Sequence, residues 1–327
     1  MSNEPRLTII VPAYNAGATL AACLESLYAQ TQPVRLLIAN DGSTDDTAAV
    51  ADMAARRPGV RVLHLPHAGG NSARRAALAA VETPYFAFVD ADDALEPTFA
   101  EAMLDAAVRH AADLVFCPYT CVYDGVERHV SYGGEEVSFA NADYPIRQRP
   151  DLLLSVPVFF WGKLYRTEYV RPRMEFVPVD CVPIDDTPTM VPLLVDMPRL
   201  AKVATPLYRY AISTRSISRA SKRELNRLTA MRALHARLEA IGVLPEFLPQ
   251  LYAINRCHLF DQLEKLRGYC DPVHQYRVVR EYFRHLDGTL PHWRPHPFHP
   301  TFYAAYWHGV VTWTALRRRF QRRPPAA

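Results

Sequence analysis

No C-x-x-C pair occurs in the 327 residues, and none of the six cysteines (Cys23, Cys117, Cys121, Cys181, Cys257, Cys270) belongs to a close cysteine and histidine set with zinc-ligand spacing. The sequence therefore carries no signature of a zinc site or a dithiol centre. Most of these cysteines lie in apolar runs and read as small buried hydrophobes of a reducing compartment. Neither the Walker pattern nor the dinucleotide G-x-G-x-x-G is present, and no fixed-period repeat is found. The start, MSNEPRLTIIVPAYN, passes from charge into one short apolar run without a signal-type region, so a cytoplasmic protein is expected, at most peripheral to the inner face of a membrane. Charge of one sign is also lacking. With 37 Lys and Arg against 34 Asp and Glu, the formal net charge of +3 argues against a whole-surface nucleic-acid binder.

What is present is enough apolar material, 49% of residues, to build a full core. The length suits one large α/β domain with an appended helical region, or two modest domains. From Leu7 to about Tyr119, β-branched runs alternate with helical stretches. LTIIV precedes a helix with Leu20, Leu24 and Leu27 on one face, RLLIA a helix opened by Thr44 and Asp45, VRVLHL an Ala-rich helix from about Asn71, and YFAFV a helix begun at Glu96 and Pro97. Such a βα repeat predicts a mostly parallel sheet with right-handed crossovers. Periodicity fades between Cys121 and Arg149, where a loop-rich insertion or hairpin is expected. It returns with a short helix near Asp151, the segment FFWGKLYRTEYV, a helix after Asp186 and a β-like run ending in PLYRYAI. From about Ser221 the pattern is helical only.

Chemistry concentrates in runs that follow the apolar segments, where open α/β sheets place their ligands. VDADD, Val89 to Asp93, sets three carboxylates within four positions. They repel one another unless a cation intervenes, and a hard ion that takes one or two protein carboxylates and otherwise phosphate and water would suit them. The same run also reads as an acidic turn capping the helix that follows. NDGSTDD, Asn40 to Asp46, is a well-made βα turn in which Asp41 stands where a base or ribose edge could be read. VPAYNAG contributes Pro12 to stiffen a loop, with Tyr14 and Asn15 available to line the same crevice. AGGNSARRAAL brings Arg74 and Arg75 to a helix start, suited to phosphate or simply to solvent.

Together, in this order, VPAYN, DGSTD, SARRA and DADD resemble the sugar-nucleotide site of the inverting glycosyltransferases of family 2, which have the GT-A fold, over roughly Leu7 to Ser218. WGKLYRTEYV is similar to the family's W-x-K-L-Y segment, PLYRYAISTRSIS to its PLYxYxxxxxS ending, and IDDTPTMVPLL to its acidic pair beside the acceptor. Two departures stand out: Asp185 replaces the more usual Glu, and Arg75 stands where Asn is frequent. The resemblance implies a GT-A domain over 1–219, with a nucleotide-sugar half (1–119) and an acceptor-side half (120–219), followed by a helical region with a basic tail (220–327). It implies a UDP-sugar donor contacted by Pro12, Tyr14, Asn15, Asp41, Ser43, Arg74, Asp90 and Asp92. Asp92 would bind Mn²⁺ or Mg²⁺, while Asp90 would hold the ribose or share the ion. Asp41 would read the base and Arg74 sit near the diphosphate. Asp186 would be the catalytic base of a single displacement onto a glycan or lipid-linked acceptor. Trp161, Lys163 and Asp185 would lie on the acceptor side, although Trp161 also suits a core and the two acids also suit a helix cap.

Competing readings are a nucleotidyltransferase, a nucleotide-sugar-binding module without catalysis, and a structural subunit of an assembly complex. The first lacks its Gly-rich opening here, and the intact DADD and IDD runs speak against the second. Near the end, Tyr303, Tyr306, Trp307 and Trp313 precede Arg317, Arg318, Arg319, Arg322 and Arg323. That stretch suits a helix lying on an anionic membrane surface, and equally a helix packed on its own domain. His292, His296 and His299 alternate with prolines and read as a surface loop rather than a metal site.

Overall fold

In the computed structural model of the protein, which describes residues 4–123, 126–130, 146–178, 184–212, 224–251 and 254, the βα alternation becomes a layered sheet. Strands β1 (Leu7–Ala13), β2 (Val34–Asp41), β3 (Val60–Leu65) and β4 (Tyr85–Phe88) are linked by helices α1 (Leu20–Tyr28), α2 (Thr47–Ala54) and α3 (Gly70–Ala79). β1 pairs in parallel with β2 and β4, and β2 with β3, as crossover helices require. After a two-residue β5 (Ala94–Leu95) and helix α4 (Phe99–Arg109) come β6 (Leu114–Phe116) and the hairpin of β7 (Tyr119–Tyr123) and β8 (Val126–Val130). The segment KLYR forms β9 (Lys163–Arg166), followed by α5 (Thr167–Val170), α6 (Asp186–Val195), β10 (Leu200–Lys202), β11 (Tyr208–Ala211) and α7 (Glu224–Ala240).

The main sheet has seven strands in the order β10-β6-β9-β4-β1-β2-β3. It is parallel except for β9, which inserts antiparallel between β4 and β6. A second sheet of four strands, β5-β11-β7-β8, holds the hairpin expected after Cys121 and joins it to β5, which directly follows the DADD turn.

β1 is apolar on both faces because both are covered. Leu7, Ile9 and Val11 pack with Leu20, Leu24 and Leu27 of α1 and Phe99 and Met103 of α4. Ile10 points the other way, into a cluster that includes Ala77 of α3, Met190 and Leu194 of α6, and Met231 and Leu234 of α7. At about 1.5–3 kcal/mol for each large aliphatic side chain buried, these two layers dominate the stabilisation. They hold the C-terminal ends of β1, β2 and β4 rigidly at one edge. The described part of the helical region beyond residue 220 thus packs into the same core as α3 and α6. Arg237 of α7 fastens it there, donating through Nη1 to the carbonyls of Glu175 (2.7 Å) and Pro188 (2.9 Å).

Among the described residues no helix is long and apolar enough to cross a membrane. Cys23 and Cys117 are buried free thiols and Cys121 is partly so. The aromatic and basic stretch 303–323, the histidines 292, 296 and 299, and Cys181, Cys257 and Cys270 lie outside the described residues.

Candidate active site

The loops after β1 and β2 are laced together by their own motif residues. The Asn15 amide donates to Ser43 Oγ (3.0 Å), and the Thr44 amide donates back to Asn15 Oδ1 (2.9 Å). Ala16 N reaches Thr47 Oγ1 (2.7 Å), and Gly17 N reaches Asp45 Oδ2 (2.9 Å). Asp45, whose carboxyl is held below its usual range first by the Thr47 hydroxyl and then by the Gly17 amide, also accepts the Thr47 amide at the start of α2. Asn15 has φ of 50°, a left-handed conformation that Asn tolerates. Asn15 and Ser43 therefore tie the two loops together, while Pro12, expected to stiffen a loop, lies within β1 in register with Ala39, and Tyr14 stands 45% exposed beside them.

Asp41, at the end of β2, is 2% exposed. Its Oδ1 accepts the amide of Ala68 and its Oδ2 that of Gly69, both at 2.9 Å. His67 Nδ1 lies 2.9 Å from Oδ2 and 3.0 Å from the Asp41 carbonyl. Both neighbours only accept, so Nδ1 carries the proton. The carboxylate expected to read a base edge is thus engaged by the loop that leads into α3. The rings facing solvent at this place are Tyr14 and His67, stacked with centroids 4.0 Å apart and planes at 17°. His67 escaped the sequence reading, yet it follows β3 by two residues, the same position after a strand that marks the other motifs.

Gly42 is required by this packing. Its φ is +63°, and a Cβ there would lie 2.6 Å from the His67 amide nitrogen. Gly42→Ala is expected to lower the urea midpoint at unchanged slope, with a loss of about 1–3 kcal/mol from backbone strain before the clash is added.

The DADD turn does not direct its three acids alike. Asp93 turns inward, 3% exposed, where its Oδ2 accepts the Tyr208 hydroxyl (2.5 Å) and its Oδ1 the Ala211 amide (2.8 Å). Burial first, then the charges of Asp90 and Asp92, push its carboxyl well above the usual range. Asp92 is exposed and Asp90 partly so. Asp90 Oδ1 accepts Arg74 Nη2 at 2.9 Å. Arg74, from the first turns of α3, lies over the Phe160 ring, its guanidinium carbon 4.8 Å from the centroid. Burial works against its charge, but Asp90, Asp185 and Asp186 outweigh it and raise its pKa. The guanidinium is therefore ion-paired with the DADD turn and acts through its charge on the IDD run, segments 16 and 112 residues (90 − 74 and 186 − 74) further along the sequence.

α6 starts at Asp186 with Asp185 as the preceding residue, and no side chain makes a capping hydrogen bond there. Asp186 Oδ1 accepts the neighbouring Thr187 amide (2.7 Å) and hydroxyl (3.3 Å). Burial and then the charge of Asp185 push Asp186 up to about 7. Burial also raises Asp185, against Arg74.

Lys163 departs from expectation. It is 0% exposed, so it does not line a cleft. Its Nζ donates to the carbonyls of Phe159 (2.5 Å) and Trp161 (3.4 Å), fixing the FFWG turn from beneath. Burial lowers its pKa to about 7, opposed by the charge of Asp186. Trp161 is half-buried in an aromatic cluster, stacked on Phe159 (4.6 Å), Tyr208 (4.6 Å) and Tyr210 (5.1 Å).

Among the described residues no group of three or more His, Cys, Asp or Glu side chains is disposed to hold a metal. The outward pair Asp90 and Asp92 fits a hard divalent ion that draws its remaining ligands from phosphate and water.

Residues 8–171, half of the chain, match the family model described as Glycosyl transferase family 2. The uncharacterized glycosyltransferase YibD of Escherichia coli (strain K12) is 39% identical over 119 residues, 36% of this chain and 35% of its own length. The putative glycosyltransferase EpsH of Bacillus subtilis (strain 168) is 27% identical over 227 residues, 68% of this chain and 65% of its own. The matched stretches span less than two thirds of either relative. The structure of S. aureus TarS 1–349 in complex with UDP-GlcNAc superimposes with a TM-score of 0.65 at 19% identity, covering 85% of this chain and 81% of that one. The shared architecture is the GT-A type expected from the strand-end motifs.

Proposed function

We propose a reaction for this chain, which belongs to glycosyl transferase family 2: transfer of a sugar from a UDP-sugar to a hydroxyl of a glycan or lipid-linked acceptor, in polysaccharide or glycoconjugate assembly, by one displacement that inverts the anomeric centre. The observation that carries it is the placement of Arg74, ion-paired to Asp90 of the DADD turn while its charge acts on Asp185 and Asp186. A leaving-group site at Asp90 and a base at Asp186 would thereby both be under the influence of one guanidinium.

The Tyr14 and His67 rings would take the base of the donor, with Pro12, Asn15 and Ser43 shaping the wall. Asp41 would act on the donor through the 67–69 loop that its carboxylate holds. Arg74 and Asp90 would orient the diphosphate end. Asp92, with Asp90, would hold Mn²⁺ or Mg²⁺, and such an ion supplies neutralisation of the charge that grows on the departing diphosphate. On the opposite side Asp186 would take the proton of the incoming hydroxyl as it attacks. One base across from the leaving group calls for no covalent intermediate, unlike the paired carboxylates of retaining hydrolases. Asp185 and the turn carrying Trp161, held by Lys163, would border the acceptor.

Isothermal titration of UDP, and of GDP in parallel, with and without Mn²⁺ tests this reading. UDP is expected to bind more tightly with Mn²⁺ than without it, and Asp92→Ala to reduce the affinity with metal to the metal-free value. Failure of both nucleotides to bind in the presence of metal would overturn the donor site.

A further inference from the structure

The acids of the DADD turn do not hold their directions unaided. Asp93 is the only one turned inward, and what turns it is a residue 115 positions later in sequence. The Tyr208 hydroxyl donates to Asp93 Oδ2 at 2.5 Å and accepts the backbone amide of Asp90 at 3.2 Å. One oxygen thus closes a ring across both ends of the turn. The second Asp93 oxygen accepts the amide of Ala211, on the same strand as Tyr208. That strand, β11, pairs antiparallel with β5, the two residues that leave the turn, in the register Tyr208 to Leu95. The tyrosine itself is 0% exposed, and its ring stacks on Trp161 at 4.6 Å and 17°. No solvent competes for its hydroxyl, and the ring is clamped on one face by Trp161.

We propose that Tyr208 is a positioning residue for donor binding. By fastening the Asp90 amide and the Asp93 carboxylate to one hydroxyl, it fixes the turn so that Asp90 and Asp92 face the donor as a pair. The inference rests on the proposed donor site, since only there do the directions of Asp90 and Asp92 matter. A buried hydrogen-bond pair of this kind acts on the metal-binding carboxylates as an outer support, and loss of such supports costs roughly 10- to 100-fold in metal affinity.

Two measurements on Tyr208→Phe decide it. The substitution keeps the ring on Trp161 and removes only the oxygen. Amide hydrogen exchange of the metal-free protein is expected to speed up in the peptide covering Val89 to Leu95 while peptides from β1 and β2 stay as in the wild type. Titration with Mn²⁺ in the presence of UDP, read from the free-Mn²⁺ resonance, is expected to show metal affinity lowered about 10- to 100-fold, with UDP affinity in the absence of metal unchanged. Wild-type exchange at 89–95 or wild-type Mn²⁺ affinity in the variant overturns the proposal. If wild-type protein itself takes up no Mn²⁺ with UDP, the donor reading fails, whereas the exchange arm still judges the tie between Tyr208 and the turn. Should Tyr208→Phe not fold, Asp93→Asn serves. It keeps the hydroxyl and the ring but places an amide where a pure acceptor stood, and the same two shifts in the same direction are expected.

Discussion

Asp186→Asn is expected to lower turnover about 10²- to 10⁴-fold and to leave UDP affinity, with or without metal, unchanged. The amide has the shape of the carboxylate and can still accept the Thr187 amide, as Oδ1 does now at 2.7 Å. What it cannot do is accept a proton from the attacking hydroxyl. As the proposed base, Asp186 would act on the acceptor hydroxyl while Arg74 stays paired with Asp90 of the DADD turn, so the loss should fall on the chemical step and not on donor capture. The pH dependence follows from the same environment. Burial and the charge of Asp185 raise Asp186 to about 7, and a base works only when deprotonated. Turnover is therefore expected to climb with pH through about 7 and to level off above it. Lys163, lowered by burial to about 7, loses its proton over the same range, so the rising limb belongs to the pair and not to one residue. Steady-state rates from pH 5.5 to 9 on wild type and Asp186→Asn check this. A variant that keeps its rate, or a wild-type limb absent near 7, would take the base role away from Asp186.

How far these residues are legible in the sequence depends on the range of the interactions that place them. The strands β1 to β4 were legible because runs such as LTIIV and YFAFV are short, apolar and separated by helical stripes. The position of the acidic and loop motifs after them followed from strand direction alone. The antiparallel insertion of β9 was not legible, since four residues that pair with β4 and β6 at separations of tens of residues leave no local mark. For the same reason nothing local in the DADD run distinguishes Asp93, the acid that Tyr208 and Ala211 draw inward. Lys163 misled differently. A lysine in sequence reads as a surface cation, and only the carbonyls of Phe159 and Trp161 converging beneath the FFWG turn make a buried ammonium tolerable. Asp41 stands where the motif predicted it, but its carboxylate serves the 67–69 loop, a partnership decided by how β2 and β3 end side by side.

Arg74→Met carries the other large expected effect, on stability and on pH dependence together. The methionine can still pack over Phe160, where the guanidinium carbon now sits 4.8 Å from the ring centre, so the change removes chiefly charge. Arg74 keeps 14% side-chain exposure and its partner Asp90 keeps 30%. Breaking a fully buried pair costs about 3–5 kcal/mol, and the remaining solvent contact brings the expected loss here to about 2–4 kcal/mol near neutral pH. Arg74 also restrains Asp185 and Asp186, whose carboxyls burial has already raised. Without it both should rise further. A carboxyl whose folded pKa lies above its unfolded value keeps the associated stability below the unfolded pKa and loses it as pH climbs through the folded one. The deficit of Arg74→Met relative to wild type is therefore expected to be larger at pH 8 than at pH 5, and whatever turnover remains should have its rising limb displaced to higher pH. Urea melts at the two pH values measure the first, and rate profiles the second. A deficit equal at both pH values would mean that Arg74 does not hold down Asp185 and Asp186 and that its loss is felt at Asp90 alone. Arg74→Lys separates the charge from the planar fork: it should restore most of the pH behaviour while leaving the diphosphate end of the donor less well oriented, seen as a weaker affinity for UDP.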